Sequence, residues 1–193
     1  DGVEVHKAAV AAGCDTTLYP RQVLRVSAPS GANAAFTHGL PQSSTLSGVT
    51  FTQDLRMRRG MLGKAGIQQP RGATFSIGRG KRAAQRYAER RGYPVVVKPE
   101  WGDSTIDVVR GVQTDKDLAR ALDTLLVPPH ERPNSTQAAY GLTELRKPGF
   151  KNGRETVPPG YRVLVEEEIS GDYYRLLVLN GQIVDVLQTP GGP

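Results

Sequence analysis

Lys98 closes the most apolar run of the chain, Tyr93-Pro94-Val95-Val96-Val97-Lys98-Pro99. A lysine at the end of a strand projects into a crevice, where its compact point charge can neutralise phosphate oxygens. The plainer alternative is a solubility lysine at a strand edge. Just beyond it, Trp101-Gly102-Asp103-Ser104-Thr105 combines glycine with two hydroxyls. Backbone amides and hydroxyls of such a segment can cradle a phosphate where glycine permits close approach. A simple turn between strands would use the same residues. Glu166, Glu167 and Glu168 are consecutive and repel one another, and on a strand 166 and 168 share one face while 167 takes the other. Arg56, Arg58 and Arg59 fall within one turn of a predicted helix, and a surface cluster is their plain reading. His6, His38 and His130 are far apart and lack metal-ligand spacing, and Ser43-Ser44-Thr45 belongs to no Gly-x-x-x-x-Gly-Lys-Ser/Thr loop. Cys14 follows a helix-ending glycine with no base in sequence nearby.

These residues sit in a chain of 193, 38% hydrophobic and 23% charged, which suits one or two small domains with a real core. The single cysteine excludes an intrachain disulfide framework and four-cysteine zinc sites, and points to reducing, cytoplasmic surroundings. No run approaches the roughly 18 apolar residues of a membrane span, and the opening DGVEVHKAAVAAG lacks the order of a signal peptide. Twenty-five basic against 19 acidic residues give a net charge of +6, which is compatible with nucleic acid but also ordinary for solubility.

The elements that must position the candidates can be read from periodicity. Residues 3 to 12 favour a short helix stopped by Gly13, and Gln22 to Val26 alternate as a strand. From Ser27 to Val49 the composition is that of an irregular connection, with a short strand near Ala34-Ala35-Phe36. Gln53-Asp54 opens a helix that ends at Gly66, and Ala73 to Ile77 form a strand. Ala83, Ala84, Tyr87 and Ala88 define a helix over 80–91 with Gly92 as its stop. The strand at Val95 follows, then a strand from Ile106 to Val109 and a helix from Lys116 to Leu126 capped by Asp115. Residues 127–160 lose all period and read as a loop or disordered insertion. Tyr161 to Ile169, Tyr173 to Leu179 and Gln182 to Leu187 are strands, the last two joined by the tight-turn pair Asn180-Gly181.

Taken in order, three of these segments resemble the ATP-grasp carboxylate–amine ligases, nearest to the cyanophycin synthetase and bifunctional glutathione synthetase type. They are DLRMRRGMLGKAGIQQPRG, RYAERRGYPVVVKP and VLVEEEISGDYYRLLVLNGQIVDV. The resemblance implies an α/β (α+β) fold with two small subdomains and a cleft between them. It implies a pre-ATP-grasp segment over 1–50, an N-terminal subdomain over 51–126 and the start of a C-terminal subdomain over 161–193. Family members continue into a stretch that supplies acidic and asparagine ligands for magnesium, so the chain as given is expected to be incomplete and its metal ligands stay unassigned. Leu55 also stands where the family has a lysine that reaches the nucleotide phosphates, a role the resemblance would pass to Arg56, Arg58 or Arg59 on the same helix unless they form only a surface cluster. Ile106-Asp107 stands where the covering loop has a glycine.

Residue by residue, the resemblance places Lys98 on the phosphate-binding lysine and Gly102, Ser104 and Thr105 in the loop over the ATP phosphates. Glu166 matches the carboxylate that meets the adenine amino group. Glu168 and Ile169 supply the hinge backbone, and Asp172 lies one residue before the family's ribose contact. Arg175 falls on the active-site wall, where it would meet a substrate carboxylate or phosphate. An exposed acidic edge at 166–168 and a structural pairing of Arg175 remain the plainer alternatives. The function implied is ATP-dependent joining of a carboxylate to an amine through an acyl-phosphate, with ATP and Mg2+ as cofactors and small-molecule or peptide substrates as partners. A degenerate ATP-grasp domain kept for structure is the second expectation. The third is a basic nucleic-acid module built on arginines 56, 58, 59, 79, 82, 86, 90 and 91, which is disfavoured because aromatics do not interleave with them. No membrane partner is expected, and a homo-oligomer is compatible with the chain.

Overall fold

The computed structural model describes residues 2–37, 39–101, 107–127, 131, 149–156 and 161–190. The chain adopts the expected mixed α/β class and divides into two compact units, Asp1–Thr52 and Gln53–Pro193.

The first unit begins with helix α1 (Gly2–Ala11), which ends just before Gly13 in the left-handed region at φ 72°. A four-stranded antiparallel meander follows: β1 (Asp15–Tyr19), β2 (Val23–Ser27), β3 (Asn33–Thr37) and β4 (Leu40–Pro41). α1 packs on β1 and β2, and the imidazole of His6 meets the Thr16 hydroxyl at 2.9 Å. Strand β1 and helix α2 (Leu46–Gln53) lie where the sequence reads as turn and irregular connection. Asp15-Thr16-Thr17 is too polar to register as a strand alone. It pairs because β2 offers a matching edge, Thr17 opposite Arg25 and Leu18 opposite Leu24.

The second unit is built on a four-stranded antiparallel sheet in the order β5-β10-β6-β7. Its strands are β5 (Gly72–Ser76), β6 (Val95–Pro99), β7 (Val109–Val112) and β10 (Arg162–Glu167). Helices α4 (Lys81–Arg91) and α5 (Asp115–Leu125) pack on this sheet. Leu118, Leu122 and Leu125 recur at i, i+4 and i+7, the spacing that lines one helix face. They are buried with Ala84, Ala88, Val95, Val97, Val163 and Val165, forming the core. Thr114 caps α5 by accepting from the Asp117 amide at 3.2 Å, and Asp115 and Asp117 suit the positive end of the helix dipole. The Tyr93 hydroxyl donates to Asp115; burial first, and then that carboxylate, push the phenol pKa well above its ordinary value. A hydrogen bond with Asp115 likewise raises the pKa of Glu89.

Further features differ from the sequence expectation, beginning with the cap of α5, which is Thr114 where Asp115 is expected. The strand after the 102–106 segment runs from Val109 to Val112. A two-stranded hairpin, β8 (Gly149–Lys151) and β9 (Arg154–Thr156), lies inside the stretch read as a loop or insertion. Most consequential is β10, which is inserted between β5 and β6. The physical reason is burial on both faces: Val163, Leu164 and Val165 are each at most 2% exposed, a continuous apolar run that suits only a central strand. Beyond it, β11 (Tyr173–Leu179) and β12 (Gln182–Thr189) pair with each other across the Asn180-Gly181 turn, where both residues have positive φ, and among the described residues with no other strand.

Candidate functional site

Strand alternation sorts the central sheet into two faces. Val95 and Val97 go to the helix-packed core, so Val96 and Lys98 must face the other way. On β10, Leu164 lies opposite Lys98 and Glu166 opposite Val96, which makes Lys98 and Glu166 diagonal neighbours on one face. Their side chains form an ion pair. The second Glu166 oxygen accepts from Arg59 at 2.9 Å. Glu166 is 3% exposed, and a carboxylate so far from water costs several kcal/mol unless its lone pairs are met, here by two cations.

Arg59 reaches this position because helix α3 (Leu55–Lys64) is anchored at its first residues. Asp54 caps the helix, accepting from the amides of Arg56 and Met57 at 2.9 and 3.1 Å. The Leu55 amide donates to the Glu100 carbonyl at 2.9 Å, and the Arg56 guanidinium pairs with the Glu100 carboxylate at 2.6 Å. Leu55 itself is buried at 2%, so the position at which the resemblance implies a lysine is a core position in this chain. One helical turn later, Arg59 extends to Glu166 and to the Pro70 carbonyl at 2.6 Å. Of the three arginines read as phosphate partners, Arg59 is thus the one that joins Lys98 and Glu166, whereas Arg56 is committed to Glu100 and Asp54.

A cavity of about 480 Å³ opens over this face. Val96, Lys98 and Glu166 contribute from the sheet, Gln68 to Pro70 from the segment before β5, and Ile169 to Tyr173 from the segment after β10. Glu167 is held by a reciprocal pair with Arg71: its carboxylate accepts from the Arg71 amide at 2.8 Å, and its own amide donates to the Arg71 carbonyl at 2.9 Å. Residues 169–171 leave the ladder there, so their backbone groups border the cavity outside any sheet pairing. The lining mixes apolar residues with the charged side chains Lys98, Arg110, Glu166, Glu167 and Asp172, and the volume is in the range of small-molecule sites.

Gly72 makes the approach of β5 to Glu166 possible. A Cβ there would stand 2.7 Å from the Glu166 Cβ and 3.2 Å from the Val165 carbonyl oxygen. Gly72→Ala is therefore expected to destabilise the chain by about 1–3 kcal/mol through overpacking and to displace Glu166 from Lys98. Denaturant unfolding compared with the parent chain checks it, and an unchanged midpoint would remove this role.

The sequence-derived candidates divide as follows. Lys98, Glu166, Ile169 and Asp172 all line the cavity. Both Glu166 oxygens face cations, which differs from an open carboxylate awaiting an amino group. Glu168 is turned to β7, its carboxylate accepting from the Gly111 amide at 2.9 Å. Asp172 accepts from the Gln188 side chain at 2.8 Å. Arg175 lies on β11, opposite Leu187 and outside the cavity lining. Gly102, Ser104 and Thr105, with His38 and His130, lie outside the described residues. Sequence reasoning gave no role to Arg110, Gln68 and Gln69; the two glutamines lie in a segment that carries the resemblance but Arg110 lies in none, and tertiary placement brings all three to the cavity. For magnesium the fit is poor among the described residues: no group of three His, Cys, Asp or Glu side chains converges, and the buried Glu166 is already engaged by cations.

These features define a mixed α/β protein whose second unit carries a charged cavity on the face of its sheet opposite the core packed by α4 and α5. No protein-family model matches the chain, and no curated protein sequence matches it either. Among solved structures it is similar to a bifunctional glutathione synthetase from Pasteurella multocida, with a TM-score of 0.42 and 17% identity over 96% of this chain and 21% of that one. The chain spans about a fifth of the length of that protein. Likeness at this level carries no argument about activity.

Proposed function

We propose that the second unit binds an adenine nucleotide and belongs to an ATP-dependent ligase that joins a carboxylate to an amine. The observation that carries this reading is Lys98 at the C-terminal end of a buried strand, on the floor of a cavity bordered by the off-ladder backbone of 169–171. A lysine so placed can leave its carboxylate partner for phosphate oxygens, and the backbone groups at 169–171 can meet a base edge. In the reaction a carboxylate oxygen attacks the γ-phosphorus of ATP, ADP departs, and an amine then displaces phosphate from the acyl-phosphate to give an amide. Lys98 and Arg59 would contribute charge neutralisation in a site already organised before the ligand arrives. Asp172, in the cavity lining, would meet the sugar, and Arg175, two residues past Tyr173, would be offered to a substrate carboxylate. Gly102, Ser104 and Thr105 keep their proposed role over the phosphates. The described residues do not fit magnesium, and the roles above belong to the chain's own side chains and backbone.

Titration calorimetry with ATP and ADP, with and without magnesium, tests the reading. Lys98→Ala is expected to weaken nucleotide affinity at least tenfold, about 1.4 kcal/mol, as a charged hydrogen bond to phosphate implies. Equal affinity in the variant and the parent would overturn the assignment of Lys98.

A further inference from the structure

Arg110 lines the same cavity, placed there by a β-bulge. Val95 of β6 pairs with Val112 of β7 and Val97 with Val109, so Arg110 and Gly111 together face the single residue Val96. Gly111 takes the left-handed conformation that such a bulge requires, at φ 63°. The extra residue turns the Arg110 side chain to the cavity face of the sheet, beside Val96. Its guanidinium lies 5.0 Å from the centre of the Tyr173 ring and donates to the Tyr173 hydroxyl at 3.0 Å. Both are neutral partners. Lys98, the other cation lining the cavity, is paired with Glu166, and Arg56 and Arg59 also meet carboxylates; Arg110 meets none among the described residues.

We infer that Arg110 is a ligand-binding arm of the cavity, gripping a phosphate of the bound molecule, and that the Tyr173 ring is its resting place. The identity of that molecule as a nucleotide rests on the function proposed above. A guanidinium held by an aromatic face and a phenol keeps its full charge. Its fork can exchange one hydrogen bond to a neutral phenol for two to charged phosphate oxygens. Lys98 from β6 and Arg110 from the bulge of β7 then act as two cations on one cavity, which suits a chain of phosphates better than a single anion.

The probes are adenosine, ADP and inorganic tripolyphosphate, titrated calorimetrically into the parent chain, Arg110→Gln, Arg110→Lys and Tyr173→Phe. Arg110→Gln is expected to weaken ADP and tripolyphosphate by about tenfold and to leave adenosine unchanged. Arg110→Lys, which keeps charge without the fork, should fall between. Tyr173→Phe, which keeps the ring, should bind both phosphates at least as well as the parent. An equal loss for adenosine and ADP would mark Arg110 as a structural latch between β7 and the segment after β10, and would overturn the inference. Unchanged binding of both phosphate ligands would overturn it as well. Should Arg110→Gln fail to fold, Arg110→Lys carries the comparison, and parent-like affinity in it for both phosphates overturns the two-pronged grip. Tripolyphosphate binding lost in Arg110→Gln, in a chain that does not discriminate ADP from tripolyphosphate, would sink the nucleotide reading while sustaining the arm. A parent chain that binds none of the three probes overturns both.

Discussion

Glu166→Ala is expected to destabilise the chain by about 3–5 kcal/mol. The carboxylate is 3% exposed and carries two cations, Lys98 on one oxygen and Arg59 on the other. Truncation leaves both without a counter-charge on a partly dry sheet face, and their mutual repulsion adds to the loss. Lys98 and Arg59 are 21% and 23% exposed in their side chains, so both recover some hydration and the cost should fall toward the lower figure. Glu166→Gln keeps acceptor capacity on one side and should cost less. Urea unfolding with matched slopes provides the measurement, and a change under about 1 kcal/mol would show that the cluster behaves as an exposed pair.

Leu118→Ala should cost a comparable amount, about 2–5 kcal/mol, for an unrelated reason. Leu118 is fully buried where α5 meets the sheet, among Val95, Val97, Val163 and Val165. Removing its branched end strips contacts from several neighbours at once, and close-packed surroundings relax only in part. The two effects should separate in their ligand response. Leu118 lies on the helix side of the sheet and Glu166 on the cavity side, so a folded Leu118→Ala chain should bind ADP as the parent does, whereas Glu166→Ala should not. Reduced ADP affinity in a Leu118→Ala chain shown to be folded would deny this separation.

Much of the second unit was legible in the residues because local and tertiary requirements agree. Asp54 looks like a helix cap and caps α3; Gly92 looks like a stop and ends α4; Asn180-Gly181 makes the turn it promises. Alternation in Val95-Val96-Val97-Lys98 is sufficient to separate a core face from a face bearing Lys98. β1 escaped notice because three polar residues carry no apolar period, and β8 and β9 because three-residue strands are shorter than any window that reports one.

The partnerships are another matter. Sequence neighbours could supply each residue's type, its helix or strand, and which side of that element it takes, since these follow from caps, glycines and periods of 2 and 3.6 residues. Nothing local could place β10 between β5 and β6, and it is that insertion, 107 positions along the chain from Arg59, that brings Glu166 to Arg59 and Lys98. Nor could it choose Arg59 over Arg56 and Arg58: the choice follows from Glu100 capturing Arg56 and fixing the start of α3. Arg110 is the sharpest case, because a bulge is a mismatch between two strands and exists only once both have paired. Strand pairing is a long-range event whose register is decided by which faces can be buried together, so the cavity and its charges came into being only when the sheet closed.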